Sequence, residues 1–247
     1  MGSQRLILVD GSGYIFRAFY ALPPMSREDG TPVNAVFGFT SMLLKLSEDM
    51  EGENILVVFD AARTTFRNTI YREYKANRSE PPEELVPQFD LIKKATTAIG
   101  LKSLEVENYE ADDIIATYVK IAKKENIETL VISSDKDLMQ LIQDGVSLYD
   151  PMKNIKIGPE AVLEKFGVSP DKVIDVQALA GDSSDNVPGV PGIGVKTASQ
   201  LINEYGSLEK LLDNASSIKQ EKRRESLLNN AELAIVSKKL VSLFSDV

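Results

Sequence analysis

The chain has 247 residues, of which 43% are hydrophobic and 26% are charged, a composition typical of a soluble globular protein. It contains no cysteine and no histidine, which excludes disulfide bonds, zinc sites of the usual kind and nucleophiles activated by histidine. Enzymatic chemistry must therefore come from carboxylates, lysine, tyrosine or a hard divalent cation. The net charge of −9 argues at first against a nucleic-acid partner. No apolar run approaches the ~18 residues of a membrane span, so we expect a cytoplasmic protein.

Three apolar runs rich in β-branched residues predict buried strands: Leu6–Val9, Ile55–Phe59 and Leu130–Ile132. Helical spacing of apolar residues lies between them, at Val36–Leu46 and again from Ala111 to Ala122. Strands that alternate with helices are typical of a parallel sheet covered on both faces. The sequence therefore predicts an α/β fold.

Two later regions depart from this alternation. Residues 63–88 are basic at first and then contain three prolines, so we predict a mobile segment that stands away from the core. After Phe166 the strand-like runs stop, and short helices separated by Gly, Pro, Asn and Ser predict a helical subdomain. We therefore divide the chain into a core, residues 1–165, and a helical subdomain, residues 166–247. The predicted helices of the subdomain are Ser169–Leu179, Lys196–Tyr205, Leu208–Ala215 and Gln220–Leu243.

Nine acidic residues follow predicted strands or stand at predicted helix starts and turns. They are Asp10, Asp60, Glu110, Asp112, Asp113, Asp135, Asp137, Asp182 and Asp185. Each alone is explained as a helix cap or turn residue. Several follow successive strands and would meet at one edge of the sheet, where their mutual repulsion calls for bound divalent cations. Two such ions are the usual device for hydrolysing a phosphodiester bond. The remaining 28 acidic residues match the 28 basic ones, so the net charge no longer argues against a phosphate-bearing partner.

The stretch GVPGIGVK at residues 189–196 has neither the spacing of a P-loop nor a predicted strand before it. It predicts a turn between two helices, whose amides and Lys196 suit a phosphate group. The alternative is a tight structural turn that needs glycine for its backbone angles.

Residues 63–78 combine basic and aromatic side chains, a pattern that suits an unstacked single strand of nucleic acid. The alternative is an ordinary solvated surface. The basic residues are Arg63, Arg67, Arg72, Lys75 and Arg78.

Six stretches resemble, in order and spacing, the 5′ nuclease domain of bacterial DNA polymerase I, within the flap endonuclease superfamily. They are LILVDGSGYIFRAFYALPP, VVFDAARTTFR, YREYKANR, YEADDIIAT, SSDKDLMQL and GDSSDNVPGVPGIGVKTA. The resemblance implies a resolvase- or PIN-like core with a helical arch at about residues 63–88. It also implies a helix–three-turn–helix motif in the helical subdomain.

The resemblance implies a structure-specific 5′→3′ exonuclease and 5′-flap endonuclease of replication and repair. Such an enzyme hydrolyses DNA and RNA primers with two Mg²⁺ ions, for which Mn²⁺ can substitute. By the same resemblance, the ligands of the first ion are Asp10, Asp60, Glu110 and Asp112, with Asp113 close by. Those of the second are Asp135, Asp137, Asp182 and Asp185, with Asp135 a candidate for sharing.

The resemblance also implies residues that handle the nucleic acid. The catalytic contacts to phosphate are Arg17, Lys75 and Arg78. The DNA-binding positions are Phe16, Arg72, Tyr74, Gly189, Gly192, Gly194, Lys196 and Thr197. The glycine turn matches an element that grips duplex backbone and that can hold a K⁺ ion through its carbonyls.

The expected partners are branched or nicked duplex DNA with a 5′ single-stranded flap and RNA primer–DNA hybrids, with no membrane. We expect a monomer, either joined to a DNA polymerase or excised from one. Two alternatives stay open: an inert module that binds branched DNA, and a PIN-like ribonuclease. The presence of all nine acids disfavours the first, and the glycine turn with its downstream helices disfavours the second.

Overall fold

A computed structural model describes residues 5–50, 53–151 and 153–247. Its centre is a six-stranded sheet in the order β3-β2-β1-β4-β5-β6. All neighbouring strands are parallel except β5 and β6, which pair antiparallel. The strands are β1 (Leu6–Asp10), β2 (Asn54–Val58), β3 (Lys102–Leu104), β4 (Thr129–Ile132), β5 (Val146–Asp150) and β6 (Ile155–Ile157).

The three strands predicted from sequence are confirmed, and they lie side by side in the middle of the sheet as β2, β1 and β4. Their continuous apolar runs reflect burial on both faces, and all four residues of β4 are buried. The sequence did not predict β3, β5 and β6. Strands β3 and β6 have only three residues each, and β5 alternates between buried and half-buried positions.

Eleven α-helices lie in the described part of the chain. They are α1 (Gly11–Ala21), α2 (Asn34–Asp49), α3 (Arg67–Ile70), α4 (Val86–Ala98), α5 (Ala111–Lys124), α6 (Pro159–Phe166), α7 (Val173–Ala180), α8 (Val195–Tyr205), α9 (Leu208–Asp213), α10 (Glu221–Asn229) and α11 (Ala231–Val241). None is long and apolar enough to cross a membrane. The single helix predicted over residues 220–243 is wrong, because α10 and α11 are separated at Asn230, whose φ of −124° is not helical.

Helices cover both faces of the sheet. Ile7 and Val9 point to one face and pack with apolar residues of α1, α2 and α4. Leu8, between them, points to the other face and packs with α5 and with the helices that follow residue 158. This second core is continuous from the sheet into the C-terminal helices. The C-terminal helices are therefore fixed to the sheet by buried apolar contacts.

Residues 63–88 do not stand away from the core, contrary to the sequence prediction. Within the segment, the α-helical residues are those of α3, four residues long, and the first turn of α4, which begins at Val86. Tyr74 is 5% exposed and packs with Val187, Leu240 and Val241, and the Lys75 N–H donates to the Asp185 carbonyl at 2.9 Å. Burial of an aromatic side chain is worth ~1.5–3 kcal/mol, which holds the segment against the C-terminal helices.

The connection between α7 and α8 is a compact glycine-rich turn. Asp182 and Val187 exchange two main-chain hydrogen bonds of 2.8 and 3.0 Å, which leaves Asp185 at the tip of a short loop. Gly189 has a φ of 62°, and a Cβ atom there would lie 2.4 Å from the Gly181 nitrogen. Only glycine fits at this position, so the turn keeps its course from the acidic loop to α8.

Candidate active site at the carboxyl edge of the sheet

The acidic residues begin where the central strands end. Asp10 is the last residue of β1 and is 7% exposed. One of its oxygens accepts the Gly13 N–H at 3.3 Å, and the other accepts the Ser133 hydroxyl at 2.8 Å. The same Ser133 oxygen accepts the Asp135 N–H at 3.0 Å. Ser133, which the sequence analysis missed, therefore ties Asp10 to the loop after β4.

The start of α5 meets the end of β2. Asp60 Oδ1 accepts the Ala111 N–H, the first residue of the helix, at 2.7 Å. Glu110 is the N-cap of α5, and its side chain and that of Asp113 accept each other's main-chain N–H in a capping box. This arrangement brings Glu110 and Asp112 to the edge where Asp10 and Asp60 lie.

Asp113 does not join this open edge. It is fully buried and makes a bidentate ion pair with Arg67, with both contacts at 2.7 Å. Its two oxygens also accept the N–H groups of Glu110 and Phe244. Each oxygen thus has two donors, so we correct the expectation that Asp113 lies close to a metal ion.

Arg67, which is 1% exposed, connects three parts of the chain. Besides Asp113, its guanidinium donates to the carbonyls of Leu240 at 2.8 Å and Ser242 at 3.0 Å. The sequence analysis placed Arg67 in a basic, strand-binding surface. It is instead a buried structural contact between the segment 63–88, α5 and the end of α11.

Asp137 and two acids of the glycine-rich turn form the other side of the site. Asp137 begins a short 3-10 helix, Asp137–Leu141, and its N–H donates to Asp135 Oδ1 at 2.8 Å. The segment is therefore not extended through both aspartates. A cavity of about 10 Å³ lies between these acids and the C-terminal helices. Its lining consists of five of the predicted acids, two other polar side chains and four apolar ones: Glu110, Asp112, Asp137, Asp182, Asp185, Arg67, Tyr74, Val187, Leu240, Val241 and Leu243.

The acids perturb one another electrostatically. Burial and the charges of Asp60 and Asp135 raise the pKa of Asp10 to about 6, against the effect of the Ser133 hydrogen bond. Burial and the charges of Asp135 and Asp10 hold the pKa of Asp112 well above its usual range. Burial and Asp135 raise the pKa of Asp137 to about 6. Mutual repulsion of this kind favours a bound cation.

Basic side chains supply part of the compensating charge. Lys75 Nζ lies 2.9 Å from Glu110 Oε1 and 3.6 Å from Asp185 Oδ2, and Arg78 also pairs with Asp185. Burial opposes the charge of Lys75, but Glu110 and Asp185 outweigh it and raise the pKa of the amine. Lys136 pairs with Asp182. Within residues 5–50, 53–151 and 153–247, no three acids are arranged closely enough to hold a metal ion in these side-chain positions.

The residues predicted to contact the 5′ strand of the nucleic acid differ in their exposure to solvent. Arg17, Arg72 and Phe16 are exposed, and Phe16 has a ring-edge contact with Phe89. Tyr74 is buried, and its hydroxyl donates to Glu110 Oε2 at 3.3 Å. Tyr74 therefore faces the acids, with its ring out of reach of solvent.

The glycine turn is only partly open to solvent. The Gly189 N–H donates to the Ser237 hydroxyl at 2.9 Å and is buried, so it is not one of the exposed amides that we expected. Gly192 and Gly194 are exposed, and Gly194 is the N-cap of α8. Lys196 is exposed in the first turn of that helix, while the Thr197 N–H is used within it. The accessible part is thus the turn Gly192–Lys196 without the side chain of Ile193, which is buried.

Two family models match the chain. The first, described as 5′-3′ exonuclease, N-terminal resolvase-like domain, matches residues 5–167. The second, described as 5′-3′ exonuclease, C-terminal SAM fold, matches residues 168–247. The chain belongs to the 5′-3′ exonuclease family. This membership confirms the predicted fold class, a resolvase-like sheet followed by a helical region, and the assignment to nucleases.

The exonuclease chain is also similar to individual curated proteins and to solved structures. DNA polymerase I of Rhizobium leguminosarum is 54% identical over 99% of the chain, and DNA polymerase I of Bacillus caldotenax is 44% identical over 98%. The chain spans 25% and 28% of these two proteins. A structure of T5 5′-exonuclease with bound zinc ions is 25% identical, with a TM-score of 0.82 over 98% of this chain and 90% of that one.

Proposed function

We propose that this exonuclease is a metal-dependent 5′ nuclease that cuts near the junction of single-stranded and duplex nucleic acid. The observation that carries the proposal is the convergence of acids from separate parts of the chain at the carboxyl edge of the sheet, where Asp10 and Asp135 lie close enough to Asp112 to raise its pKa. We propose that residues 1–165 form the cutting core and that residues 166–247 hold the duplex.

We propose that two Mg²⁺ ions, replaceable by Mn²⁺, bind at this edge. The donor set fits, because it consists of carboxylates, the ligands that hard divalent cations prefer. Burial and the charges of neighbouring acids raise the pKa of three of them, Asp10, Asp112 and Asp137. When bound, such ions supply an activated water and stabilise the leaving oxygen. The proposed ligands of the first are Asp10, Asp60, Glu110 and Asp112, and those of the second are Asp135, Asp137, Asp182 and Asp185. Asp113 is assigned to the positioning of α5.

Three basic residues are proposed to bind the phosphate at the cut. Lys75 and Arg78 lie against Glu110 and Asp185, so their charges are held at the acidic edge by the docked segment. Arg17 is exposed on α1, the helix that follows Asp10. Positioned cations stabilise the charge that develops on the phosphate in the transition state.

The surfaces on either side of the acids are proposed to hold the nucleic acid. Phe16 and Arg72, both exposed, suit the unstacked 5′ strand. The accessible turn Gly192–Lys196 suits the phosphates of the duplex, since it ends in the first turn of α8. We propose that carbonyls of the same turn hold a K⁺ ion. Tyr74, which is not part of this turn, is proposed to orient Glu110 through its hydroxyl.

The proposed substrates are branched or nicked DNA with a 5′ flap and RNA primer–DNA hybrids. The curated relatives are named DNA polymerase I and are about four times as long as this chain. We therefore propose that the nuclease is joined to a polymerase or excised from one. We also propose that it works as a monomer in the cytoplasm.

The test is incubation of a labelled 5′-flap duplex with the chain and Mg²⁺, with EDTA in a parallel reaction, followed by mapping of the cut. Asp135→Asn should nearly abolish cleavage and preserve DNA binding. Asp144→Asn removes the same charge at an exposed position outside the site and should cut normally. Binding without cleavage by the wild type would support the inert module, and preferential cleavage of single-stranded RNA would support the ribonuclease.

A further inference from the structure

Lys136 lies between two of the proposed metal ligands in sequence and against a third in space. It separates Asp135 from Asp137, and its Nζ pairs with Asp182 Oδ2, on the turn after α7. The Asp182 side chain is 6% exposed, whereas that of Lys136 is 32% exposed. The ammonium group therefore stands at the solvent side of a nearly buried carboxylate.

The hydrogen bonds of Asp182 show what Lys136 occupies. Asp182 Oδ1 accepts the Ser184 N–H at 2.8 Å. The other oxygen, Oδ2, accepts a hydrogen bond from Lys136 Nζ. Since the main chain already uses the first oxygen, Oδ2 is the atom most available to a metal ion, and the lysine holds it.

Both groups of proposed ligands have a basic partner, but the partners come from different places in the sequence. In the first group, Glu110 pairs with Lys75, which belongs to the segment 63–88. The second group instead contains a cation within its own sequence, because Lys136 stands between two of its acids. Lys136 is thus placed to offset repulsion among Asp135, Asp137 and Asp182 before any metal arrives.

We propose that Lys136 is a built-in counter-ion of the second acidic group, which a divalent ion must displace from Asp182. Lys136 thereby weakens the binding of the second ion. This inference rests on the proposed function, because it requires that the second group bind a divalent cation. Loss of the Lys136 contact opposes metal binding, and the exposed third of its side chain gives the ammonium group a path into water.

Two other roles for Lys136 predict different results. If it merely ties the loop after β4 to the turn after α7, its removal should lower stability and metal affinity together. If it binds a phosphate of the substrate, its removal should weaken DNA binding and leave metal affinity unchanged. If Lys136 is a displaced counter-ion, its removal should lower stability and raise metal affinity. The metal-free protein loses the charge that offsets repulsion among its acids, and the metal ion no longer competes with a lysine for Asp182.

The experiment compares wild type, Lys136→Met and Lys136→Gln with the control Lys165→Met, an exposed lysine of α6. Mn²⁺ binding to the full chain is followed at pH 8 without DNA, by electron paramagnetic resonance of free Mn²⁺. The melting temperature is measured in EDTA. Both Lys136 variants should bind the weaker Mn²⁺ about 3- to 5-fold more tightly, as expected for a partly exposed ion pair of ~0.7–1 kcal/mol, and should melt at a lower temperature. Lys165→Met should change neither.

Asp182→Asn supplies a second test in the same assay. In the Asp182→Asn background, Lys136→Met should no longer tighten Mn²⁺ binding, because the competing pair is already gone. Unchanged or weaker Mn²⁺ binding by both single Lys136 variants overturns the inference, as does weaker flap binding in Ca²⁺ with unchanged Mn²⁺ affinity. If the wild type cuts a flap but binds a single Mn²⁺ ion, the inference fails while the nuclease assignment stands. Absence of all Mn²⁺ binding and cleavage refutes the proposed function itself.

Discussion

Replacement of Asp10 by asparagine should stabilise the metal-free protein while it destroys the enzyme. Asp10 is 7% exposed, and its pKa is raised from 3.8 to about 6. At pH 8 the ionised carboxylate therefore destabilises the fold by up to about 3 kcal/mol, at 1.36 kcal/mol for each pKa unit. The asparagine side chain keeps one oxygen, which can still accept the Ser133 hydroxyl. Its NH₂ group then faces the Gly13 N–H, which is also a donor, and this mismatch costs about 1 kcal/mol. The net expected gain is about 2 kcal/mol.

The pH dependence gives the prediction its sign. At about pH 3 and below, Asp10 is mostly protonated in both the folded and the unfolded chain, so its carboxylate causes almost no loss of stability. Between about pH 3 and 6 the unfolded chain ionises first, because its pKa is lower, and the wild type loses stability as the pH rises. Above pH 6 the loss is complete. The advantage of Asp10→Asn should therefore be largely absent at pH 4 and full at pH 8.

The assay is urea unfolding in EDTA at both pH values, followed by circular dichroism, with Asp144→Asn as the exposed control. Addition of Mg²⁺ should stabilise the wild type and have much less effect on Asp10→Asn, because a proposed ligand is lost. A variant that is less stable than the wild type at pH 8 in EDTA would refute the view that Asp10 is held in a repulsive, metal-dependent site.

Three further substitutions test other parts of the site. Ser133→Ala should weaken Mn²⁺ binding about 10-fold, as loss of a supporting hydrogen bond to a ligand typically does, and Thr96→Val, which removes another buried hydroxyl, should not; equal affinities would contradict the role of Ser133. Lys75→Ala should slow single-turnover cleavage about 100-fold with a smaller loss of DNA affinity, and an unchanged rate would contradict a role for Lys75 in the cleavage step. Lys196→Glu should weaken duplex binding in Ca²⁺ equally across sequences and flatten the log–log salt slope by roughly 0.9. Unchanged salt dependence would make the turn purely structural.

The sequence predicts the centre of the fold because burial leaves a local pattern there. β1, β2 and β4 contain continuous apolar runs; Asp10 is the last residue of β1, and Asp60 comes two residues after the end of β2. The edge strand β3 has three residues, two of them exposed, and carries no such pattern. Burial of the segment 63–88 was also not predicted, because the partners of Tyr74 lie more than 100 residues later in the chain.

The same limit applies to the site. The positions of the acids follow from the rule that parallel strands end at one edge of a sheet. The contacts that orient those acids do not, because they join distant residues. Arg67 bonds Asp113, 46 residues away, and Ser242, 175 residues away, so its basic neighbours in sequence suggested a surface role. Gly189 was recognised as a turn residue, but its partner Ser237 could not be inferred from the sequence.

The central claim is that the carboxyl edge of the sheet holds the ions that cut. The most direct measurement is the anomalous scattering of manganese in crystals of the chain grown or soaked with Mn²⁺. We predict two peaks, one among Asp10, Asp60, Glu110 and Asp112 and one among Asp135, Asp137, Asp182 and Asp185, with Arg67 still paired to Asp113. Absence of manganese from this edge, in crystals of a chain that cleaves a flap with Mn²⁺, would contradict the account.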